Sequence, residues 1–110
     1  MRASQIRVQP SHHEARRSRR LGVSFDASLR EPGSTKFRVK IDDMSQSGFR
    51  CNTSFTLIPN NIVWLTIPGL APLEARVAWR KGHLYGFAFA LPLHVAVFEH
   101  IYKQVRKPAL

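Results

Sequence analysis

Two short polar segments of the 110-residue chain combine residue types that can bind an anionic ligand. The first, Arg16-Arg17-Ser18-Arg19-Arg20, carries four guanidinium groups, which can pair with anions or lie over aromatic rings. The second, Asp43-Met44-Ser45-Gln46-Ser47-Gly48, combines a carboxylate, two hydroxyls and a glycine. Taken alone, the first segment is typical of a solvated basic tail. The second alone is typical of a turn, in which Gly48 would supply a positive φ.

The charge of the chain also favours an anionic partner. Lysine and arginine number 17 against 7 aspartate and glutamate residues, which gives a formal net charge of +10. Such a surface attracts nucleic acid, nucleotides and anionic lipid headgroups, and charge alone does not choose among them. The basic residues concentrate at the two ends of the chain, before residue 21 and after residue 102.

The rest of the composition predicts one cytoplasmic domain with a basic N-terminal arm. Residues 1–15 have no hydrophobic period, so we expect a flexible segment there. The N-terminus lacks the apolar stretch of a signal peptide, and no apolar run approaches the ~20 residues of a membrane helix. Cys51 is the single cysteine, which excludes an internal disulfide framework. The length suits a single hydrophobic core.

The hydrophobic pattern that must position these polar segments is mostly that of β-strands. Apolar and polar residues alternate over most of six segments, as a half-buried strand requires. These segments are 21–30, 37–42, 49–52, 62–67, 73–80 and 85–90. The fourth is almost wholly apolar, which predicts a strand covered on both faces.

Beyond Pro92 the hydrophobic period lengthens to that of an amphipathic helix. One face is predicted to carry Val95, Phe98, Ile101, Tyr102 and Val105. We expect this face to pack on the sheet, and it could also serve as a dimer or partner surface. The predicted fold is therefore all-β: a six-stranded antiparallel β-barrel with a C-terminal α-helix.

With the strands in place, the positions of the two polar segments resemble the pattern of the PilZ domain family. The Arg-x-x-x-Arg spacing at 16–20 directly precedes the first strand, and Asp-x-Ser-x-x-Gly at 43–48 follows the second. The segments 75–79 and 85–89 are similar to the last strands of that family, and the predicted terminal helix also fits. The resemblance therefore covers residues 16–106, and we predict a PilZ-like domain over residues 16–107. It implies a receptor for cyclic di-GMP that relays ligand binding to a protein partner.

The resemblance implies these ligand-binding residues: Arg16, Arg17, Arg20, Asp43, Ser45 and Gly48. A guanidinium can meet the adjacent O6 and N7 acceptors of guanine with paired donors, a role that we assign to Arg20. Arg16 would stack on a guanine face or pair with a phosphate, and Arg17 would assist electrostatically. Ligand binding is then expected to order the arginine segment.

The turn would contribute the specificity of the site. The Asp43 carboxylate can accept hydrogen bonds from guanine N1–H and the N2 amine, an edge that adenine does not offer. Ser45 can donate to a phosphate or a guanine acceptor. Gly48 would let the backbone approach the ligand without a Cβ in the way.

Other reactive residue types do not form a recognisable catalytic or metal-binding pattern. His12-His13 lacks further ligands at metal-site spacing, and no catalytic triad is evident, so we predict no enzyme activity and no cofactor besides the ligand. Cys51 lies on the apolar side of a strand and is predicted to be buried. Trp64 and Trp79 lie in strongly apolar strands and are predicted to belong to the core.

Two alternative functions remain beside the cyclic di-GMP receptor. A PilZ-like domain could work through protein contacts alone, without ligand. A basic small barrel could instead bind RNA or DNA, which the net charge favours. The predicted lack of solvent-facing aromatic residues on the strands argues against nucleic acid.

Overall fold

A computed structural model of the chain describes residues 21–105, which form six β-strands and one α-helix. The strands are β1 (Leu21–Arg30), β2 (Phe37–Met44), β3 (Gly48–Asn52), β4 (Ile62–Thr66), β5 (Leu73–Lys81) and β6 (Leu84–Phe89), and the helix is α1 (Val95–Val105). The predicted strand order and the C-terminal helix are therefore confirmed.

The strands close into an antiparallel barrel in the order β1-β2-β3-β6-β5-β4. Closure occurs where β4 pairs with β1, with Ser28 opposite Thr66 and Arg30 opposite Trp64. Closing the sheet removes the free edges that an open sheet would expose. The predicted fold class is confirmed by this topology.

The barrel interior is built by the inward members of the alternating pattern. Leu29, Ile41, Val63 and Val77 have almost no exposed surface. The Phe49 and Phe87 rings stack inside the barrel at a centroid separation of 4.5 Å. Because side chains alternate along a strand, the polar residues between these positions face solvent.

One prediction about an apolar face is wrong, and a second is wrong at a single residue. On β4 only the inner face is fully buried, whereas Trp64 on the outer face is half-buried and Ile62 is exposed. The cause is that the barrel wraps one face of β4 while α1 packs against β1, so that no element of residues 21–105 forms a layer over the outer face of β4. On α1, Phe98 and Ile101 are buried as predicted, but Val95, in the first turn of the helix, is exposed.

The long β3–β4 connection closes the barrel end opposite the β2–β3 turn. The buried Tyr85 hydroxyl accepts a hydrogen bond from the Leu57 backbone N–H at 3.0 Å and donates to the Phe55 carbonyl at 3.1 Å. The backbone N–H of Thr53 donates to the carbonyl of His83 at 2.9 Å. These bonds hold a segment without regular secondary structure in a fixed position over the core.

Candidate functional site

The β2–β3 turn is shaped by its serines. The backbone N–H of Ser45 donates to the carbonyl of Gly48 at 2.9 Å, and the N–H of Ser47 donates to the Ser45 hydroxyl at 3.2 Å. The two serine hydroxyls are 3.1 Å apart. Since Ser45 is 1% exposed, its hydroxyl is positioned to hold the turn closed from within.

Gly48 is required by the close approach of β6. A Cβ at this position would overlap the carbonyl oxygen of Phe87 on the neighbouring strand. The prediction that Gly48 supplies a positive φ is wrong, because the described glycines with positive φ are Gly33, Gly69 and Gly82. The need for glycine arises from the packing of two strands, and a contact between ligand and backbone here stays a prediction.

The turn is also clamped to the segment that leads into α1. The Gln46 side-chain Nε2 donates to the carbonyl of Leu93 at 3.0 Å, and the N–H of Leu93 donates to the Gln46 carbonyl at 2.8 Å. The N–H of Phe89 donates to the carbonyl of Ser47 at 2.9 Å. The turn therefore has little freedom to move without disturbing the start of the helix.

Asp43 lies opposite Arg50, and the two side chains form a charged pair. Arg50 Nη2 lies 2.9 Å from Asp43 Oδ2, while Arg50 Nε is 3.9 Å from Asp42 Oδ1. A register shift in β2 between Ile41 and Asp43 brings both successive carboxylates to one guanidinium. The Asp43 side chain is 13% exposed, so its carboxylate lies near the surface but is held by a cation.

Arg50 is a residue that the sequence reasoning missed. Its position became apparent only from the cross-strand register, which pairs it with Asp43 on one side and Gly86 on the other. Within the described residues, Arg50 Nε and Asp42 Oδ1 are buried and lack a hydrogen-bond partner. The unpartnered Nε faces Asp42, whereas Nη2 contacts Asp43.

The same cross-strand row continues to an aromatic side chain. Asp43 on β2, Arg50 on β3, Gly86 on β6 and Trp79 on β5 are successive partners across four strands. The indole of Trp79 lies over Gly86, where an added Cβ would overlap it. With strands about 4.8 Å apart, the row spans about 14 Å of the outer barrel surface.

The prediction that Trp79 belongs to the core is wrong. Trp79 is 37% exposed, because a register shift between Val77 and Trp79 inserts one extra residue into β5. A single-residue shift exchanges the two faces of a strand, so the indole points outward. Solvent-facing aromatic residues on the strands are therefore present, and the argument that their absence disfavours nucleic acid fails.

The predicted arginine residues and the predicted flexible arm, residues 1–15, lie outside the described residues. These arginines are Arg16, Arg17 and Arg20, and their ligand contacts stay predictions. The described chain begins at Leu21, which pairs with Met44, and Gly22 pairs with Asp43. The first described residue thus lies on the strand adjacent to the turn that carries Asp43.

Other reactive groups of residues 21–105 do not form a second site. No cluster of three or more His, Cys, Asp or Glu side chains suited to a metal ion occurs in this range. Burial, with a smaller contribution from Asp42, raises the pKa of the Cys51 thiol to about 12. No helix of residues 21–105 has the length and apolar character needed to cross a membrane.

Comparison with known proteins agrees with this architecture. The family model described as PilZ domain matches residues 14–107. The crystal structure of the PilZ domain of CeSA from a cellulose-synthesizing bacterium is similar, with a TM-score of 0.57 and 17% sequence identity. The similarity covers 78% of this chain and 94% of that one, and it concerns the fold. No curated protein matches the sequence.

Proposed function

Because the chain belongs to the PilZ domain family, we propose that it is a receptor for cyclic di-GMP that binds its ligand on the outer face of the barrel. The row of Asp43, Arg50, Gly86 and Trp79 is the observation that carries this proposal. It combines an acceptor for guanine, a cation for phosphate and an aromatic plane on one surface. The family supplies the identity of the ligand.

Guanine recognition is assigned to Asp43. An ionised carboxylate can accept hydrogen bonds from both guanine N1–H and the N2 amine. The Arg50 guanidinium, 2.9 Å from Asp43 Oδ2, fixes the orientation of this carboxylate. Ser45 and Gly48 contribute by keeping the turn in one shape, in addition to the ligand contacts proposed for them.

The arginine segment would close over the ligand from the opposite side. Arg20 is covalently attached to Leu21, which pairs with Met44 next to Asp43. The chain connectivity thus supports a shared site for Arg20 and the turn, with Arg20 on the guanine O6 and N7 acceptors. Arg16 would stack on guanine or pair with a phosphate, and Arg17 would add positive charge.

The expected consequence of binding is an ordered arginine segment. Charge-assisted contacts to the phosphates would offset the conformational entropy lost by this segment. The newly ordered surface would then be available to a protein partner, which makes the chain an adaptor rather than an enzyme. Cyclic di-GMP is a bacterial second messenger, so we expect the protein to act in a bacterial cytoplasm.

Titration calorimetry with cyclic di-GMP tests the proposal. Arg20→Ala and Asp43→Ala are each expected to weaken binding at least about tenfold, because each removes a charge-assisted hydrogen bond. Arg38→Ala and Asp26→Ala are the matched controls: both residues are exposed and lie outside the proposed site. Equal affinity in all four variants, or no binding by the unaltered chain, would contradict the receptor function.

The nucleic-acid alternative is separated in the same experiment by competition. Trp79 gives this alternative some support, because an exposed indole beside a basic surface can stack on any base. A receptor for cyclic di-GMP should retain its ligand in the presence of single-stranded oligonucleotides. Displacement by oligonucleotides, together with a steep loss of affinity as salt rises, would instead indicate general polyanion binding.

A further inference from the structure

Exposed apolar side chains of the β3–β4 connection and of the first residue of β4 lie at the barrel end opposite the β2–β3 turn. Phe55 is 53% exposed, Ile58 60% and Ile62 44%. The Phe55 ring stacks on Phe37, the first residue of β2, at a centroid separation of 4.2 Å. These four residues are called the apolar end patch. Large exposed apolar side chains concentrated in one region are typical of interaction sites.

The patch is presented on a fixed backbone. Its β3–β4 connection is attached to the buried Tyr85 hydroxyl through Phe55 and Leu57. Near Ile62, the N–H of Asn60 donates to the Val77 carbonyl at 2.7 Å, and the N–H of Val77 donates to the carbonyl of Asn61 at 3.0 Å. A partner would therefore meet a preformed surface and would lose less entropy in ordering it.

A groove of about 480 Å³ adjoins the patch. It runs between the β1–β2 turn and the start of β4, and its lining residues are Glu31, Pro32, Ser34, Asn60, Asn61 and Ile62. Most of these side chains are polar, so the groove can accept the polar side chains of a segment whose apolar residues cover the patch.

Cations outnumber carboxylates around the patch, with three cations against Glu31 in the adjoining groove. Lys36 precedes Phe37, Arg38 follows it, and Arg76 lies directly opposite Ile62 on β5. All three are exposed, and none belongs to the ion pairs of the described residues, which join Lys40 to Asp26 and Arg50 to Asp42 and Asp43.

The balance of charge decides between two occupants of the patch. A second copy of this chain, with a net charge of +10, would bring the cations around the two patches close together. An acidic segment would instead pair with cations that have no partner in the described barrel. Electrostatic complementarity of this kind sets both the rate and the selectivity of association.

We propose that the apolar end patch is the docking site for an acidic, apolar segment of a partner protein. The inference rests on the proposed receptor function for its biological role, because the patch would hold the partner on the barrel while the ligand orders the arginine segment at the other end. It does not depend on the ligand site physically, because the patch lies at the other end of the barrel.

Synthetic peptides of defined composition test the docking site on the 110-residue chain. The probe is a fluorescein-labelled 16-residue peptide that mixes Glu and Leu, compared with a Glu/Ser peptide and a Lys/Leu peptide of the same length. Fluorescence anisotropy should show saturable binding of the Glu/Leu peptide alone. Equal binding of the Glu/Ser peptide, tighter binding of the Lys/Leu peptide, or no binding of any peptide would overturn the proposal.

Variants assign the binding to the patch. Ile58→Glu should weaken binding of the Glu/Leu peptide at least about tenfold, because it removes an apolar contact and adds a negative charge that repels the peptide's glutamates. Arg76→Glu should also weaken binding of the Glu/Leu peptide, because it replaces a cation beside Ile62 with an anion. Leu91→Ser is the matched control, since Leu91 is an 80% exposed apolar residue outside the patch, and it should bind as the unaltered chain does. Unchanged binding by Ile58→Glu would overturn the proposal.

Two further measurements separate this inference from its competitors. Analytical sedimentation of the free chain should show a monomer. A dimer that is lost in Ile58→Glu would mean that a second copy of the chain covers the patch, and it would overturn the proposal of an acidic partner. Cyclic di-GMP should bind Ile58→Glu and the unaltered chain equally. Failure of the unaltered chain to bind cyclic di-GMP would sink the receptor function while leaving the peptide result intact.

Discussion

Gly48 shows how one residue can be demanded by the fold and by a proposed ligand site at once. Its absent Cβ makes room for the carbonyl of Phe87, so β3 and β6 can pair at this level. Ser45 is similar, because its buried hydroxyl closes the turn that holds Asp43. Loss of ligand binding in a variant of either residue would therefore not by itself demonstrate a ligand contact.

Gly48→Ala is expected to destabilise the fold by about 2 kcal/mol or more, the cost of forcing a methyl group against a rigid backbone. Chemical denaturation of the purified protein measures the change in the free energy of unfolding. Gly33→Ala is the comparison, since its added Cβ meets nothing within 4 Å and is disfavoured only by φ of 79°. We expect about 1 kcal/mol there. A smaller cost for Gly48→Ala than for Gly33→Ala would refute the packing argument.

Trp79 allows a separate test of the outer-face site. If a guanine stacks on the indole, Trp79→Ala should weaken the binding of cyclic di-GMP by about 1–3 kcal/mol, which raises Kd between about fivefold and 150-fold. Calorimetry measures this, with Trp64→Ala as the control because that half-buried indole lies outside the row of Asp43, Arg50 and Gly86. Unchanged affinity of Trp79→Ala for cyclic di-GMP would show that Trp79 is not part of the ligand site.

At the scale of elements, two one-residue register shifts build most of the candidate site. One in β2 brings Asp42 and Asp43 to the same guanidinium, and one in β5 turns Trp79 outward. Bulges of this kind re-aim side chains at functional surfaces. Without them, strict alternation would direct Asp43 and Trp79 toward the barrel interior.

These shifts also explain which parts of the structure were predictable. The strand positions follow from the sequence because an alternating pattern reports directly which residues face the core, as at Leu29, Ile41 and Val77. The register shifts depend on the neighbouring strand, so the outward position of Trp79 and the pairing of Asp43 with Arg50 could not be read from one strand's pattern. The need for glycine at position 48 is likewise non-local, because the carbonyl of Phe87 that a Cβ would overlap belongs to β6.

The clamp between the turn and the segment before α1 is a second feature of elements. Gln46→Ala removes the side-chain bond to the Leu93 carbonyl and should cost about 1 kcal/mol of stability. Denaturant unfolding measures this change in the free energy of unfolding. Gln104→Ala, which removes an exposed contact of 3.4 Å to His100 on α1, should change stability little. If the two substitutions cost the same, the clamp does not stabilise the turn.

For the whole molecule, barrel closure makes the interior a single cooperative unit. Every strand pairs with two neighbours, and the inward side chains form one continuous core cluster that includes residues of α1. We therefore expect the buried groups to reach solvent only when the barrel opens as a whole. Cys51 reports on this, because it is fully buried within β3.

The pH dependence of stability provides the corresponding prediction. Burial raises the pKa of the Cys51 thiol from 9.0 to about 12, so above pH 9 the unfolded chain releases a proton that the folded barrel retains. The unfolded state then binds fewer protons, and stability falls as pH rises toward 12. Between pH 8 and 10.5 this group alone should lower the free energy of unfolding by about 2 kcal/mol.

The measurement is a difference between two proteins that differ only in the thiol. Guanidinium unfolding of the unaltered chain and of Cys51→Ala is compared at pH 8, 9.5 and 10.5. The unaltered chain should lose stability more steeply, whereas the variant keeps only the slope of the other groups. Parallel slopes would mean that the thiol ionises as readily in the folded protein as in the unfolded chain, and that the barrel admits solvent to β3 without opening cooperatively.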